Sequence, residues 1–212
     1  MNFIDPQIEQ YAINASSPES ELLARISRET FLKTYMPRML SGHLQGRILS
    51  MFSKMLAPKL IVEVGTFTGY SAICLAEGLA ENGRLITIDI NEELKPKVVP
   101  YFEEAGFGNK IEMRCGDAAQ LLKEIPDGVD LVFLDADKEN YLLYWNILFP
   151  KLRSGGILIA DNVLWSGKVL EKESTDPETV GLKAFTQAVA AEKNSEQVLI
   201  PVRDGLLVVR KK

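Results

Sequence analysis

The sequence predicts an α/β fold, a mostly parallel sheet whose last strand is antiparallel, with additional N-terminal helices. Three patterns lead there. Apolar residues recur at helical spacing through residues 1–56. From residue 59 short apolar runs, most of them rich in Val and Ile, alternate with stretches of helical period and length. Near the C-terminus two apolar runs flank "RDG", where Asp204-Gly205 is a hairpin signal. Strands alternating with helices build right-handed βαβ units, hence a parallel sheet covered on both faces. No repeat, low-complexity tract or linker divides the chain. It reads as a single domain over 1–212, with a helical segment at 1–56 and the core at 57–212.

In "DPQIEQYAIN" Asp5 stands as N-cap, with Pro6 at the first helical position. "SPESELLARISRETFLKTY" repeats that device with Ser17 and Pro18, and spaces Leu22, Ile26, Glu29 and Thr30 along a helix. "LQGRILSMFSKMLA" puts Leu44, Ile48, Met51, Phe52 and Met55 on one stripe, which reads as core. Strands are then expected at "KLIVEVG", "GRLITIDI", "IEMRCGD", "VDLVFLDAD" and "GGILIADN", and helices at "SAICLAEGLAE" and "YLLYWNILFPKL". Pro96 and Pro100 in "EELKPKVVPYFEEAG" predict a kinked or short helix. A helix near 178–192 precedes the closing "QVLIPV" and "LLVVRK".

With 212 residues, 46% of them hydrophobic and 25% charged, the chain can bury a well-formed core. A net charge of −5 and the absence of a basic stretch argue against a nucleic-acid surface. No run approaches the roughly 18 apolar residues of a membrane span. "MNFIDPQIEQ" lacks the basic region and apolar run of a secretory signal. Cys74 and Cys115 lie far apart in apolar segments and read as reduced, buried thiols. A soluble, cytoplasmic protein is expected.

"IVEVGTFTGYS" (61–71) is a strand, a glycine loop and a helix start. Gly65 and Gly69 let the backbone turn tightly and a ligand approach closely. Their spacing is Gly-x-x-x-Gly, not the GxGxxG of dinucleotide enzymes. Glu63 at the strand end would repel a pyrophosphate and attract an amino group. Asp89 ends the next strand, 24 residues beyond Gly65. It suits either the two ribose hydroxyls of a nucleoside or the N-cap of a helix starting near Glu92. Glycine loop and acidic strand end together indicate a nucleoside cofactor without phosphate. "CGDAA" (115–119) would then face the adenine with Asp117 and Ala118.

"LVFLDADKENY" (131–141) is an apolar run ending in Asp135, Asp137 and Lys138. Asp161 ends the next strand, with Asn162 after it. Successive parallel strands lie side by side, about 4.8 Å apart, so their tips bring two carboxylates and an amide oxygen together. That donor set suits a hard divalent ion, Mg²⁺, Mn²⁺ or Ca²⁺. Zinc is disfavoured, since the chain has one histidine and scattered cysteines. Asp137 reads as an N-cap. Lys138 opposes the helix dipole, so it is either a solvated surface lysine or an amine whose pKa is lowered enough for a base. His43 is the only histidine and has no identifiable partner. Trp165 in "DNVLWSGKV" could stack on a flat acceptor ring.

The segments "VEVGTFTGYSAICLA", "DADKENY" and "ADNVLWSGKV", in this order and spacing, resemble the signatures of cation-dependent class I O-methyltransferases, the group of caffeoyl-CoA and catechol O-methyltransferases and their bacterial relatives. The resemblance runs over nearly the whole chain. It implies a Rossmann-like class I methyltransferase sheet, S-adenosylmethionine as methyl donor, and a vicinal dihydroxy aromatic small molecule as acceptor. It implies that Glu63, Gly65 and Ser71 lie near the methionine part of the cofactor, Asp89 at the ribose and Ala118 at the adenine. Met39, Ser41 and Asp135 would also belong to the cofactor side. Asp135, Asp161 and Asn162 fall on the family's metal ligands, and Lys138 on its general base. Family members are mostly homodimers, in which the N-terminal helices and the segment after Trp165 shape the acceptor pocket. In this chain that segment, "LEKESTDPETVGLK", is polar and lacks aromatic residues. A nicotinamide oxidoreductase shares the glycine loop but leaves Glu63, Asp161, Asn162 and Lys138 without a role. A non-catalytic nucleoside-binding protein predicts that Lys138 and Asp161 are dispensable. A nucleic-acid methyltransferase meets the −5 charge.

Overall fold

A computed structural model describes residues 4–212. Met1–Phe3, counted above in the N-terminal helical segment, lie outside the described residues. Two compact units are distinguished, Pro6–Gly116 and Asp117–Lys212.

The first unit opens with helices α1 (Pro6–Ala15), α2 (Glu21–Lys33) and α3 (Gly42–Leu56). The α1 start at Pro6 is the expected one. The start of α2 is not: the cap is Ser20, whose Oγ accepts from Leu23 N at 3.2 Å, rather than Ser17. A start at Pro18 would add a turn without an apolar side chain. Glu19 instead accepts a hydrogen bond from the Tyr70 hydroxyl at 2.5 Å. The buried face of α2 is Leu23, Ile26 and Thr30, with Leu23 replacing the expected Leu22.

The α3 stripe is also reversed. Gln45, Gly46, Leu49, Ser50 and Ser53 are buried, whereas Met51 is 56% and Met55 70% exposed. Small residues let α3 approach α4 (Tyr70–Ala76) closely. A Cβ at Gly46 would stand 2.7 Å from Tyr70 Cε1 and 2.9 Å from Cys74 Sγ. Ser53 Oγ donates to Leu75 O at 2.6 Å. Arg47 forks onto Glu77 at 2.8 and 3.0 Å, and Ser50 and Lys54 join the same carboxylate.

Strands β1 (Leu60–Val64), β2 (Arg84–Asp89) and β3 (Ile111–Cys115) pair in parallel, with α4 and α5 (Lys95–Glu104) between them in sequence. α5 is short, as its prolines imply, with Pro100 inside it. Cys74 is buried, and burial pushes its thiol up to about 12; Cys115 is only partly buried, and both are free.

The second unit runs α6 (Ala118–Leu121), β4 (Val129–Leu134), α7 (Tyr141–Lys151), β5 (Leu152–Ala160), α8 (Pro177–Ala191), β6 (Ser195–Ile200) and β7 (Leu206–Lys211). β4 and β5 are parallel; β7 is antiparallel to β5 and to β6. β5 starts earlier than its glycines suggest. Leu152 pairs with Val129, and the register then shifts so that Leu131 meets Ile157. The β6–β7 connection is longer than an Asp-Gly turn, with Arg203 and Gly205 at positive φ. Within the two units the strand orders are β3-β2-β1 and β4-β5-β7-β6, parallel except for the last strand, β7, as expected. Among the described residues no helix is long and apolar enough to cross a membrane.

Candidate active site

In the first unit the glycine loop leaves β1 at Gly65, whose N–H donates to Ile88 O at 2.9 Å and whose φ of 104° favours glycine. Gly69, at φ 79°, has a second constraint: a Cβ there would meet Val98 Cγ1 at 2.7 Å and Phe102 Cε1 at 2.8 Å of α5. Between them Phe67 adopts φ 46°, and its N–H donates to Asp89 Oδ2 at 2.8 Å. The other Asp89 oxygen accepts from Asn91 N at 2.9 Å. Asp89 is not an N-cap. Asn91 takes that role, accepting from Glu93 N. Asp89 thus ties the loop to the end of β2, and each of its oxygens keeps a lone pair for another donor.

Glu63 is fully buried beneath this loop and accepts from Thr87 Oγ1 at 2.6 Å. Thr66 Oγ1 lies 2.5 Å from Thr87 Oγ1. Because the Thr87 proton is committed to Glu63, Thr66 must be the donor in that second contact. Ser71 is buried in the first turn of α4. Ser41 is buried just before α3, while Met39 is exposed in the 3-10 turn Pro37–Met39. His43 has a structural partner: its Nε2 lies 2.8 Å from Ser17 O, the geometry of a donor to that carbonyl.

In the second unit the predicted pair of acids is brought together. Leu134 and Ala160 are register partners on parallel β4 and β5. The Asp161 N–H donates to Leu134 O at 2.9 Å. Asp135 and Asp161 therefore follow on adjacent strand tips, at the roughly 4.8 Å spacing of neighbouring strands. Asn162 turns the chain at once, with φ 58°. The Tyr141 hydroxyl sits 3.0 Å from Leu134 O and 3.1 Å from Asp161 O and bridges the two tips. Tyr141 lies in the quoted motif, yet a tyrosine opening an apolar helix reads only as core. Among the described residues no three His, Cys, Asp or Glu side chains form a metal-binding group. A cation here would draw on two carboxylates, the amide and oxygens of water or substrate, a set that fits Mg²⁺.

Lys138 begins the 3-10 turn Lys138–Asn140 and is 5% exposed, which excludes a solvated surface lysine. Its Nζ donates to Asp135 Oδ1 at 2.9 Å and lies 5.0 Å from the Tyr141 ring centroid. Burial alone would lower its pKa. Asp135 and Tyr141 together outweigh burial and hold the ammonium above the ordinary lysine value. Asp137 occupies the N-cap position without capping; it accepts from Tyr144 Oη at 2.7 Å and from Asn140. Ala118 is the first residue of α6, whose N-cap Asp117 accepts from Ala119 N at 2.8 Å.

The segment after β5 is strained. Asn162, Trp165 and Ser166 all have positive φ, a conformation costing about 1–3 kcal/mol per non-glycine residue. Two aspartates hold it. Asp204 accepts from Ser166 N at 2.7 Å; Asp176 accepts from Trp165 Nε1 at 3.4 Å and from Thr179 Oγ1 at 2.6 Å. The sequence marked Asp204 only as part of a hairpin and gave Asp176 no role.

Comparison with known proteins defines the class. A profile of the O-methyltransferase family matches residues 13–212. Caffeoyl-CoA O-methyltransferase 2 of Petunia hybrida is 34% identical over 184 residues, covering 79% of this chain and 74% of that protein. Caffeoyl-CoA O-methyltransferase 1 of Nicotiana tabacum is likewise 34% identical, covering 79% and 75%. The O-methyltransferase of Bacillus cereus in complex with SAH superimposes with a TM-score of 0.91 at 27% identity over 97% of both chains. TomG of Streptomyces achromogenes in complex with SAM, an O-methyltransferase involved in tomaymycin synthesis, gives 0.90 at 25% identity over 97% and 96%. The chain belongs to the O-methyltransferase family. It is an S-adenosylmethionine-dependent O-methyltransferase.

Proposed function

We propose that this enzyme methylates one oxygen of a vicinal dihydroxy, catechol-type aromatic small molecule, using a hard divalent cation, Mg²⁺ first, held by Asp135, Asp161 and Asn162. The observation that carries the proposal is the register of β4 and β5, with a buried lysine paired to one of the two acids at their tips. When bound, the cation supplies a Lewis acid that favours the ionised form of an acceptor hydroxyl. S-adenosylmethionine supplies a methyl already activated by its sulfonium.

The chain's own work is charge placement and alignment. Asp135 and Asp161 neutralise the cation, and Asn162 adds an uncharged oxygen. Lys138 Nζ accepts the proton of one acceptor hydroxyl. Asp135 would be shared: it pairs with Lys138 and would also be a ligand of the cation, and a lysine whose carboxylate partner is so engaged would be favoured as the neutral amine by its burial. Trp165 stacks on the acceptor ring. Asp89 accepts from the ribose hydroxyls with the lone pairs that Phe67 and Asn91 leave. The buried Glu63 carboxyl is the acceptor for the cofactor's ammonium end, with Gly65 and Ser71 along the loop. Met39, Ser41 and Ala118 complete the cofactor's surroundings.

The chain works as one methyltransferase domain in the cytoplasm, without nucleic acid or membrane. Its partner is a second copy of itself, for which Met51 and Met55, exposed one turn apart on α3, supply apolar contacts. A methyl-transfer screen over vicinal diphenols, free and as CoA thioesters, each with several divalent ions, tests the proposal. Transfer to at least one vicinal pair and none to the matching mono-hydroxy compounds is expected. Equal transfer to both overturns it.

A further inference from the structure

The first turns of α8 touch both the tryptophan segment and the lysine turn, and the contacts are of unusual kinds. An aspartate at an N-cap ordinarily accepts from the helix's own N–H groups. Asp176 holds the N-cap position of α8 without doing so. Its Oδ2 accepts from Thr179 Oγ1 at 2.6 Å and from Trp165 Nε1 at 3.4 Å, and Lys168 Nζ pairs with it at 3.6 Å. Thr179 is fully buried, so its hydroxyl fixes where that carboxylate points. Lys168 Nζ also lies 5.7 Å from the Trp165 ring centroid. The indole is thereby held at its N–H and at its face, on a backbone at φ 47° that would not persist unaided.

Two residues beyond Thr179 on α8, Gly181 seats the base-bearing turn. A Cβ there would stand 2.6 Å from Glu139 Cα and 2.7 Å from Lys138 O. Those are backbone atoms, so any larger side chain must displace the turn itself, and Lys138 with it. Nothing in the chemistry of methyl transfer asks for a glycine or a threonine in this helix.

We propose that the start of α8 is a positioning device for the reaction: Asp176 and Thr179 set the indole of Trp165 against the acceptor, and Gly181 sets the height of the Lys138 turn. This rests on the roles given above to Trp165 and Lys138. Asp176, Thr179 and Gly181 are positioning residues, acting only through those two side chains. The Asp176 carboxyl is held below its ordinary range, chiefly by the Thr179 hydroxyl, in keeping with a fixed, charged anchor.

The test uses the full chain in four forms, wild type, Thr179→Val, Thr179→Ser and Gly181→Ala. Acrylamide quenching of indole fluorescence reads Trp165, because Trp145 is buried and stacked on Phe149. Acylation of Lys138 followed by mass spectrometry reads the lysine turn. Initial rates with acceptor and S-adenosylmethionine varied separately read function. Thr179→Val should raise quenching and acceptor KM together, leaving the S-adenosylmethionine KM unchanged, and Thr179→Ser should restore both. Gly181→Ala should increase Lys138 acylation and lower kcat, on the order of 100-fold for a displacement near 1 Å. Unchanged quenching in Thr179→Val, or a serine variant no better than valine, overturns the anchoring. Wild-type acylation and kcat in Gly181→Ala overturn the seating. If Gly181→Ala does not fold, the threonine pair still decides the anchoring. A wild type inactive on every vicinal diol contradicts the function proposed above, while fluorescence and acylation still decide the positioning.

Discussion

Lys138 is a buried amine whose charged form burial disfavours and Asp135 and Tyr141 favour. Removing its amine should abolish proton transfer and leave Asp135 without its buried partner. Lys138→Ala should lower turnover by roughly 10²–10⁴-fold, the range for a general base, with S-adenosylhomocysteine affinity by calorimetry unchanged. Asp89 makes the opposite prediction. It orders the loop through Phe67 N and is proposed to accept from the ribose, so Asp89→Ala should weaken S-adenosylhomocysteine binding in the same calorimetric assay and leave Lys138 acylation as in the wild type. Both residues stand out in the sequence because charge at or just beyond the end of a buried strand has no packing reason to be there. Tyr141, Thr179 and Gly181 were not. Each has an ordinary helical explanation, and what sets it apart is a contact across the fold, which spacing along the chain does not encode.

Among the elements, α3 shows where hydropathy misleads. Its apolar stripe faces outward because the inward face is built for close approach: Gly46 against Tyr70 and Cys74, and Ser53 against Gly78, whose added Cβ would stand 2.2 Å from the Ser53 carbonyl carbon. Small and hydroxyl side chains look like a solvated face in sequence, yet they carry the α3–α4 contact. Glu77 completes it. Burial would raise its pKa, but hydrogen bonds from Arg47, Ser50 and Lys54 outweigh burial and lower it from 4.5 to about 2. A depressed carboxyl contributes stability that is present above its ordinary pKa and lost as pH falls through the folded one. Denaturant unfolding across pH should therefore show the gap between wild type and Glu77→Gln closing from about 4.5 down to about 2. A gap independent of pH would contradict the ion-pair account. The strands were legible for the converse reason. β1, β2 and β4 are buried over most of their length, and an apolar run of Val, Ile and Leu is what such a strand requires.

For the whole molecule, the proposed self-association is expected to use the exposed Met51 and Met55 of α3. Met51→Glu with Met55→Glu should convert a dimer to a folded monomer in light scattering, with near-ultraviolet circular dichroism retained; a doubly substituted protein that still dimerises contradicts that face as the interface. The decisive measurement is turnover after chelation. Methyl transfer to a vicinal diphenol should vanish in excess EDTA and return when Mg²⁺ is supplied beyond the chelator. An undiminished rate in EDTA would contradict a cation between the tips of β4 and β5.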